Sequence, residues 1–305
     1  MKLTFFGTRG SYPFSRSDNI RYGGNSTCLY VKTASGTELI LDGGSGVVNL
    51  GHQMMEREFG EGKGEAVILV GHTHWDHILG YPFFKPFYAE GNRFQFVSAG
   101  QTGVSIQEIL SGQHDDLHFP VPFEHLAAEI TYHDFSIGEN LTFGDAVVKT
   151  FQLNHPGLTV AYRIEADGGA LVIITDTARI HATRLGDGMG GIDPDPAYAK
   201  KFTERLTAFA ERADLLVHDS HFFEHEIRNK EHWGHSTGED ALLLARAAGV
   251  RRLSLFHHAP EHSDADVDQI LRSTRDLARK DPIEISASIE GETLVVERRG
   301  AGGGS

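Results

Sequence analysis

Five short apolar runs in this chain each end on a residue that can bind a metal. Ala66–Val70 leads into His72, Val147–Leu153 into His155, and Leu171–Thr175 into Asp176. Leu215–Val217 leads into His218 and Asp219, and Leu253–Phe256 into His257. Each run has the length and the Val, Ile and Leu content of a buried strand. Open sheets present their functional groups at the carboxyl ends of their strands. Five such ends can therefore deliver imidazoles and carboxylates to one sheet edge. Helical stretches lie between the runs, so the pattern is α/β.

The sequence marks three of those helices. Ser236-Thr-Gly-Glu239 reads as a capping box, with Ser236 as N-cap and Glu239 at the third helical position. That helix runs through Leu242, Leu243 and Ala247 and stops near Gly249. A second begins near Ser263 and places Val267, Ile270, Leu271 and Leu277 on one face. A third follows Pro196 and carries Tyr198, Phe202, Leu206 and Phe209. Leu3–Phe6, Cys28–Lys32 and Glu38–Leu41 read as strands, and Ile285–Ile289 and Thr293–Glu297 as closing strands. Phe83–Phe123 and His181–Pro196 show no clear period and read as long loops, a common form of lid or pocket wall. The first is rich in Phe and Pro, which suits a packed wall. No internal repeat or linker interrupts residues 1–300, which read as one domain; residues 301–305 read as a flexible tail.

His72-Thr-His74-Trp-Asp76-His77 is the densest chemical signal, with four metal-competent side chains within six residues. Such a turn, directly after a strand, can point His72 and His74 to one metal and Asp76 and His77 to another. Imidazole and carboxylate are the usual zinc ligands besides thiolate. The aromatic and apolar flanks favour burial over a solvated loop. Asp176 ends an apolar run, and a buried carboxylate is costly without a partner, which a bridged pair of cations would supply. Of His257 and His258, one reads as a ligand.

Charge and composition set bounds. The formal net charge is −14, against the basic face usual in nucleic-acid binders, so extended nucleic-acid binding is not expected. The single Cys28 allows no internal disulfide and reads as core. No run approaches the ~18 apolar residues of a membrane span, and the N-terminus lacks a signal-peptide core. A cytoplasmic location with no membrane partner is the expectation. Gly43-Gly44-Ser45-Gly46 lacks the Lys-Ser/Thr ending of a P-loop and reads as a tight turn. His221, His225 and His232 lie in a polar stretch and read as solvent-facing or rim residues, while His218 and Asp219 are open between a pocket role and a buried hydrogen bond.

Taken in order, these landmarks resemble the metallo-β-lactamase-fold hydrolase superfamily. The resemblance is greatest to its phosphoribosyl cyclic phosphodiesterase-like branch, a relative of ribonuclease Z. The shared segments are Gly7-Thr-Arg-Gly10-Ser11, Tyr22-Gly-Gly-Asn25-Ser-Thr-Cys28, Leu41-Asp42-Gly-Gly-Ser-Gly46 and the His72–His77 motif. They continue with Asn154-His155-Pro156, Thr175-Asp176-Thr177, His218-Asp219, Gly234-His235-Ser236-Thr237 and Phe256-His257-His258.

The resemblance implies a four-layer αββα sandwich, two mixed β-sheets flanked by helices. It implies that His72, His74 and His155 hold one metal, that Asp76, His77 and His257 hold the other, and that Asp176 bridges both. The expected cofactors are two divalent ions, zinc first, with manganese or iron as alternatives. His235 and Asp76 are the candidate catalytic residues, His235 contacting a phosphate oxygen or donating a proton. Asp42 is expected to orient a ligand histidine. Two features depart from the pattern. An Asp is expected after the His257-His258 pair, where this chain has Ala259, and the basic arm with which ribonuclease Z holds transfer RNA has no counterpart.

The expected reaction is hydrolysis of a small cyclic phosphate or cyclic nucleotide, by water activated between two ions ~4 Å apart. The partner is then a small phosphodiester substrate, and a homodimer stays open. Two alternatives stand beside this one: a lactone, carboxylic-ester or thioester hydrolase with the same metal site, and a metal-loaded binding or sensing module without turnover.

Overall fold

The computed structural model describes residues 1–100, 103–115, 117, 119–179, 183–184, 192–193, 196–228 and 230–298. The first half of the chain supplies strands β1 (Lys2–Gly7), β2 (Cys28–Lys32), β3 (Glu38–Leu41), β4 (Glu65–Val70), β5 (Arg93–Ala99) and β6 (Glu129–Phe135). Next come β7 (Asn140–Phe143), β8 (Ala146–Gln152), β9 (Val160–Ala166), β10 (Gly169–Ile174) and a small antiparallel pair, β11 (Thr183–Arg184) with β12 (Ile192–Asp193). The last strands are β13 (Leu215–Asp219), β14 (Arg252–Phe256), β15 (Glu284–Ala287) and β16 (Thr293–Val295). The helices are α1 (Gly46–Met55), α2 (Trp75–Ile78), α3 (Ile106–Ser111), α4 (Pro196–Ala210), α5 (Glu224–Ile227), α6 (Gly238–Ala248) and α7 (Asp264–Leu277).

Two seven-stranded sheets result, in the orders β16-β1-β2-β3-β4-β5-β6 and β15-β14-β13-β10-β9-β8-β7. Each is antiparallel at one end and parallel at the other. In the first sheet the parallel part is β3 to β6. In the second it is β10, β13, β14 and β15. Strand β8 also points the same way as β10, because both are antiparallel to β9. The carboxyl ends of β8, β10, β13 and β14 thus lie on one edge.

Apolar residues on both faces of the strands dictate the layers. In β10, Leu171 and Ile173 join the core shared by the two sheets, while Val172 and Ile174 meet the helices outside. In β4, Leu69 faces the shared core, and Ile68 and Val70 pack with Val47, Leu50 and Met54 of α1. On the outer side of the second sheet lie Leu206 of α4, Ala241, Leu242, Leu244 and Ala245 of α6, and Val267 and Ile270 of α7. This is the four-layer αββα sandwich. Among the described residues no helix is long and apolar enough to cross a membrane.

Two sequence expectations need correction. The capping box of α6 lies one residue later: Thr237 is the N-cap and Asp240 the third helical residue. Ser236 is drawn away by tertiary structure, its hydroxyl donating to the Asp219 carbonyl at 3.0 Å. The helix accordingly buries Leu244, whereas Leu243 is exposed. Phe83–Phe123 is not one aperiodic loop, since it contains β5 and the capped helix α3. Its Phe84 and Phe87 do form a packed wall with Phe94. Most of His181–Pro196, and residues 301–305, lie outside the described residues.

Candidate metal centre

The loop after β4 and the short helix α2 put the His72–His77 motif at the sheet edge. His72 lies just past the strand, His74 is the N-cap of α2, and Asp76 and His77 lie within the helix. From the second sheet come His155 after β8, Asp176 after β10 and His257 after β14. All seven residues converge. His72, His74 and His155 present donor atoms within 4.8 Å of one another, as do Asp76, His77, Asp176 and His257.

Asp176 stands between the two groups. Its Oδ1 lies 3.1 Å from His77 Nε2 and 3.4 Å from His257 Nε2. Its Oδ2 lies 3.9 Å from His72 Nε2 and 3.8 Å from His155 Nε2. Asp76 Oδ2 approaches the same nitrogens of His77 and His257, at 3.2 and 3.3 Å.

Surrounding groups fix the orientation of these side chains. Asp42 Oδ2 accepts from His77 Nδ1 at 2.8 Å, and its Oδ1 accepts from the Gly71 amide at 2.6 Å. The Gly234 carbonyl accepts from His155 Nδ1 at 2.7 Å. Both rings then direct a lone pair on Nε2 into the cluster. The Ser11 amide donates to Asp76 Oδ2 at 2.8 Å. Ser11, Asp42 and His257 all have positive φ without being glycine, at 59°, 60° and 60°. Such strain persists where the surroundings impose it and clusters at functional sites. For His257 the restraint is visible: His221 Nδ1 donates to its carbonyl at 2.8 Å. Glycine is required opposite, because a Cβ on Gly10 would sit 2.4 Å from the His257 ring.

Electrostatics separates the two groups. Burial pushes His72 well below the usual histidine range and His155 down to about 3. Burial would also lower His77 and His257, but the surrounding carboxylates, Asp176 foremost, outweigh it and raise both. The donor set passes a direct test for a cation. His72 Nδ1 and Nε2, His77 Nε2 and Asp176 Oδ1 are buried without a hydrogen-bond partner. Buried polar atoms are seldom left so, and a divalent cation satisfies convergent lone pairs and carboxylates together.

A further layer lies beside the cluster. His235 is buried, its Nδ1 is 3.0 Å from Asp219 Oδ2, and its ring stacks on His221 at 4.3 Å. Asp219 also accepts from the Thr177 and His221 amides. Burial lowers His235 to about 4 and pushes Asp219 well above the carboxylate range, so a net charge on the pair is disfavoured. His221 thus corrects the sequence reading, being 2% exposed rather than a rim residue. His225 and His232 are exposed, as expected. His258 turns away from the cluster, its Nε2 3.0 Å from the Ser288 carbonyl. His218 is buried, with its Nδ1 on the Asp219 carbonyl.

A pocket of about 590 Å³ opens over the cluster, lined by Ser11, His74, Trp75, Asp76, Trp233 and His235 among others.

Two mixed sheets with a His/Asp cluster at their common edge, buried except at His74, define a metal-dependent hydrolase of the metallo-β-lactamase type. The chain belongs to the β-lactamase superfamily: the family described as "Beta-lactamase superfamily domain" matches residues 53–258. Ribonuclease Z of Halorubrum lacusprofundi is 26% identical over 90% of this chain and 92% of its own. The metallo-beta-lactamase fold protein YhfI from Bacillus subtilis superposes with a TM-score of 0.66 at 16% identity, covering 96% of this chain and 98% of its own. A diphosphatase from the PhnP family gives a TM-score of 0.60 at 17% identity, covering 97% and 98%.

Proposed function

We propose that this hydrolase is a dinuclear phosphodiesterase acting on a small cyclic phosphate or cyclic nucleotide. The observation that carries the reading is the split of Asp176, with one oxygen toward His77 and His257 and the other toward His72 and His155. In this reading His72, His74 and His155 hold one ion, Asp76, His77 and His257 the second, and Asp176 spans both. Zinc suits the imidazole and carboxylate donors, with manganese and iron as competitors. The bound ions supply Lewis acidity and an activated water.

Phosphodiester chemistry is supported by relatives named for cleaving RNA and by a structural neighbour named for cleaving diphosphates. A small substrate is supported by the charge of −14 and by the pocket walls, which include no Lys or Arg among the described residues. The chain's own groups then hold the reactants. The Ser11 amide fixes Asp76, and Asp219 fixes His235 at the pocket wall. His235 is placed to give a proton to the departing oxygen while its Nδ1 takes up the proton that burial holds on Asp219, so that no free imidazolium is needed.

A hydrolysis panel on metal-replete protein tests the reaction class, comparing bis-p-nitrophenyl phosphate, cyclic nucleotides, a lactone and a cephalosporin. Phosphodiesters are expected to turn over fastest, and preference for the lactone would overturn the reading. His235→Ala should slow release of a ribose hydroxyl by about 10²–10⁴-fold, the usual scale of general acid catalysis. Release of p-nitrophenol, which needs little protonation, should slow much less. Equal slowing on both would reject proton donation.

A further inference from the structure

Arg9, in the loop after β1, is wholly buried at 0% exposure. Burying a guanidinium is costly, and an apolar side chain of similar size would fill the same space at lower cost. What an apolar side chain lacks is the planar fork of donors. Arg9 turns that fork on main-chain carbonyls. Its Nε donates to Gly23 at 2.7 Å, and one terminal nitrogen donates to Ala259 at 2.9 Å and to His262 at 2.8 Å. The other terminal nitrogen is buried without a partner, so satisfying the guanidinium itself is not what this placement achieves.

The gripped turn is the one that follows His257. It closes on itself, the His262 amide donating to the Ala259 carbonyl at 3.1 Å. Ala259 has no polar side chain with which to hold the turn, and the guanidinium holds it by its carbonyl. The backbone on either side of Arg9 grips the same segment. The Gly10 amide donates to the His258 carbonyl at 3.0 Å, and the His258 amide donates to the Thr8 carbonyl at 2.9 Å. Gly10 lies so close to the His257 ring that no Cβ would fit. The next residue, Ser11, donates its amide to Asp76 Oδ2 at 2.8 Å. Residues 8–11 therefore touch one donor from each sheet, Asp76 after β4 and His257 after β14. His155 is held from elsewhere, by the Gly234 carbonyl.

We propose that Arg9 is a positioning residue for the ion held by Asp76, His77 and His257. It ties the turn after β14 to the loop after β1 and so sets the span between a donor of the first sheet and a donor of the second. The proposal rests on the assignment of those three residues to one ion. His257 sits at φ 60°, which a residue other than glycine keeps only under outside restraint. The grip on Ala259 and His262 adds to the restraint that His221 provides. Slackening it moves His257 Nε2 and removes no donor.

Arg9→Lys keeps the charge but replaces the fork by a point donor that cannot serve the three carbonyls together. In a chelator titration of metal-replete protein, this variant should release the ion of Asp76, His77 and His257 about 10–100-fold more readily. The ion of His72, His74 and His155 should leave as in the wild type. The spectrum of cobalt-substituted protein tells which ion has gone. Val31→Ala, which truncates a buried core residue of β2, controls for lost stability alone. It should lower Tm and leave both release steps in place. Wild-type release in Arg9→Lys, equal weakening of both steps, or the same selective shift in Val31→Ala overturns the proposal.

Hydrogen exchange on the wild type supplies a check that needs no variant. Coupling is reciprocal, so loading the metal should slow exchange of the Gly10 amide by about tenfold. An unchanged rate overturns the proposal. A wild type that binds a single ion would end the two-ion assignment, and the role of Arg9 with it. A wild type with two release steps, matched by Arg9→Lys, would end the role of Arg9 alone.

Discussion

His72, His74 and His155 bring three imidazoles together with no carboxylate of their own, whereas Asp76, His77, Asp176 and His257 bring two imidazoles and two carboxylates. The two halves lie side by side and share Asp176, yet their protonation is driven in opposite directions. In the histidine half, burial is the largest influence on His72 and His155 and strips them of protons. In the mixed half, carboxylates overcome the same burial and draw positive charge onto His77 and His257. The difference teaches that one half offers a cation neutral lone pairs, while the other also offers charge compensation. Asp176 brings negative charge to both, acting on His72 and His155 as well as on His77 and His257.

The largest expected effect comes from the residue they share. Asp176→Ala should empty both halves, taking metal content from about two equivalents to below one and turnover to the background of metal-free protein. Elemental analysis of wild type and variant checks this. One equivalent or fewer in metal-replete wild type would end the dinuclear proposal and with it the distinction between the halves.

Smaller and more selective losses should follow from residues that belong to one half. His155→Ala should release about one equivalent from the histidine half, and His257→Ala about one from the mixed half. His258→Ala should keep both, because His258 Nε2 is 3.0 Å from the Ser288 carbonyl and outside the cluster. The partner retained in each variant is read by spectroscopy of cobalt-substituted protein, whose signal reports the donor set. Loss of metal in His258→Ala with none in His257→Ala would move the proposed ligand by one residue.

How much of this was legible varied with how local the cause is. The His72–His77 motif could be read because four donors follow a strand directly, and strand and turn alone fix their placement. The ends of β8, β10 and β14 could be read because an apolar run that stops on His or Asp marks a strand end. The α6 cap was misplaced because Ser236-x-x-Glu239 and Thr237-x-x-Asp240 satisfy the same pattern. The choice between them is made by the Asp219 carbonyl, from another strand. His221 was misread for a related reason: its burial comes from pairing with the His257 carbonyl, 36 residues away. In β5, Phe94 and Phe96 alternate with Arg93 and Gln95 in the manner of a strand, but the surrounding Phe and Pro residues obscure that short period.

The smallest predicted effect separates the halves most finely, because it changes no donor atom. Asp42 touches the mixed half alone, through His77 Nδ1 at 2.8 Å, and it is tied to the backbone by the Gly71 amide at 2.6 Å. Asp42→Asn keeps the size of the side chain, and Asn tolerates the left-handed backbone that Asp42 adopts at φ 60°. The amide, however, has one oxygen where the carboxylate has two. It can accept from Gly71 or from His77, but not from both. If it keeps Gly71, an NH₂ group faces the His77 N–H, and the ring is driven to the tautomer that turns a proton toward Asp176. Loss of such a supporting hydrogen bond costs about 10–100-fold in metal affinity. A chelator titration of Asp42→Asn should therefore show two steps, with the mixed half releasing its ion earlier by that factor and the histidine half unchanged. Equal weakening of both steps would mean that the halves act as one coupled site, and the contrast drawn between them would be lost.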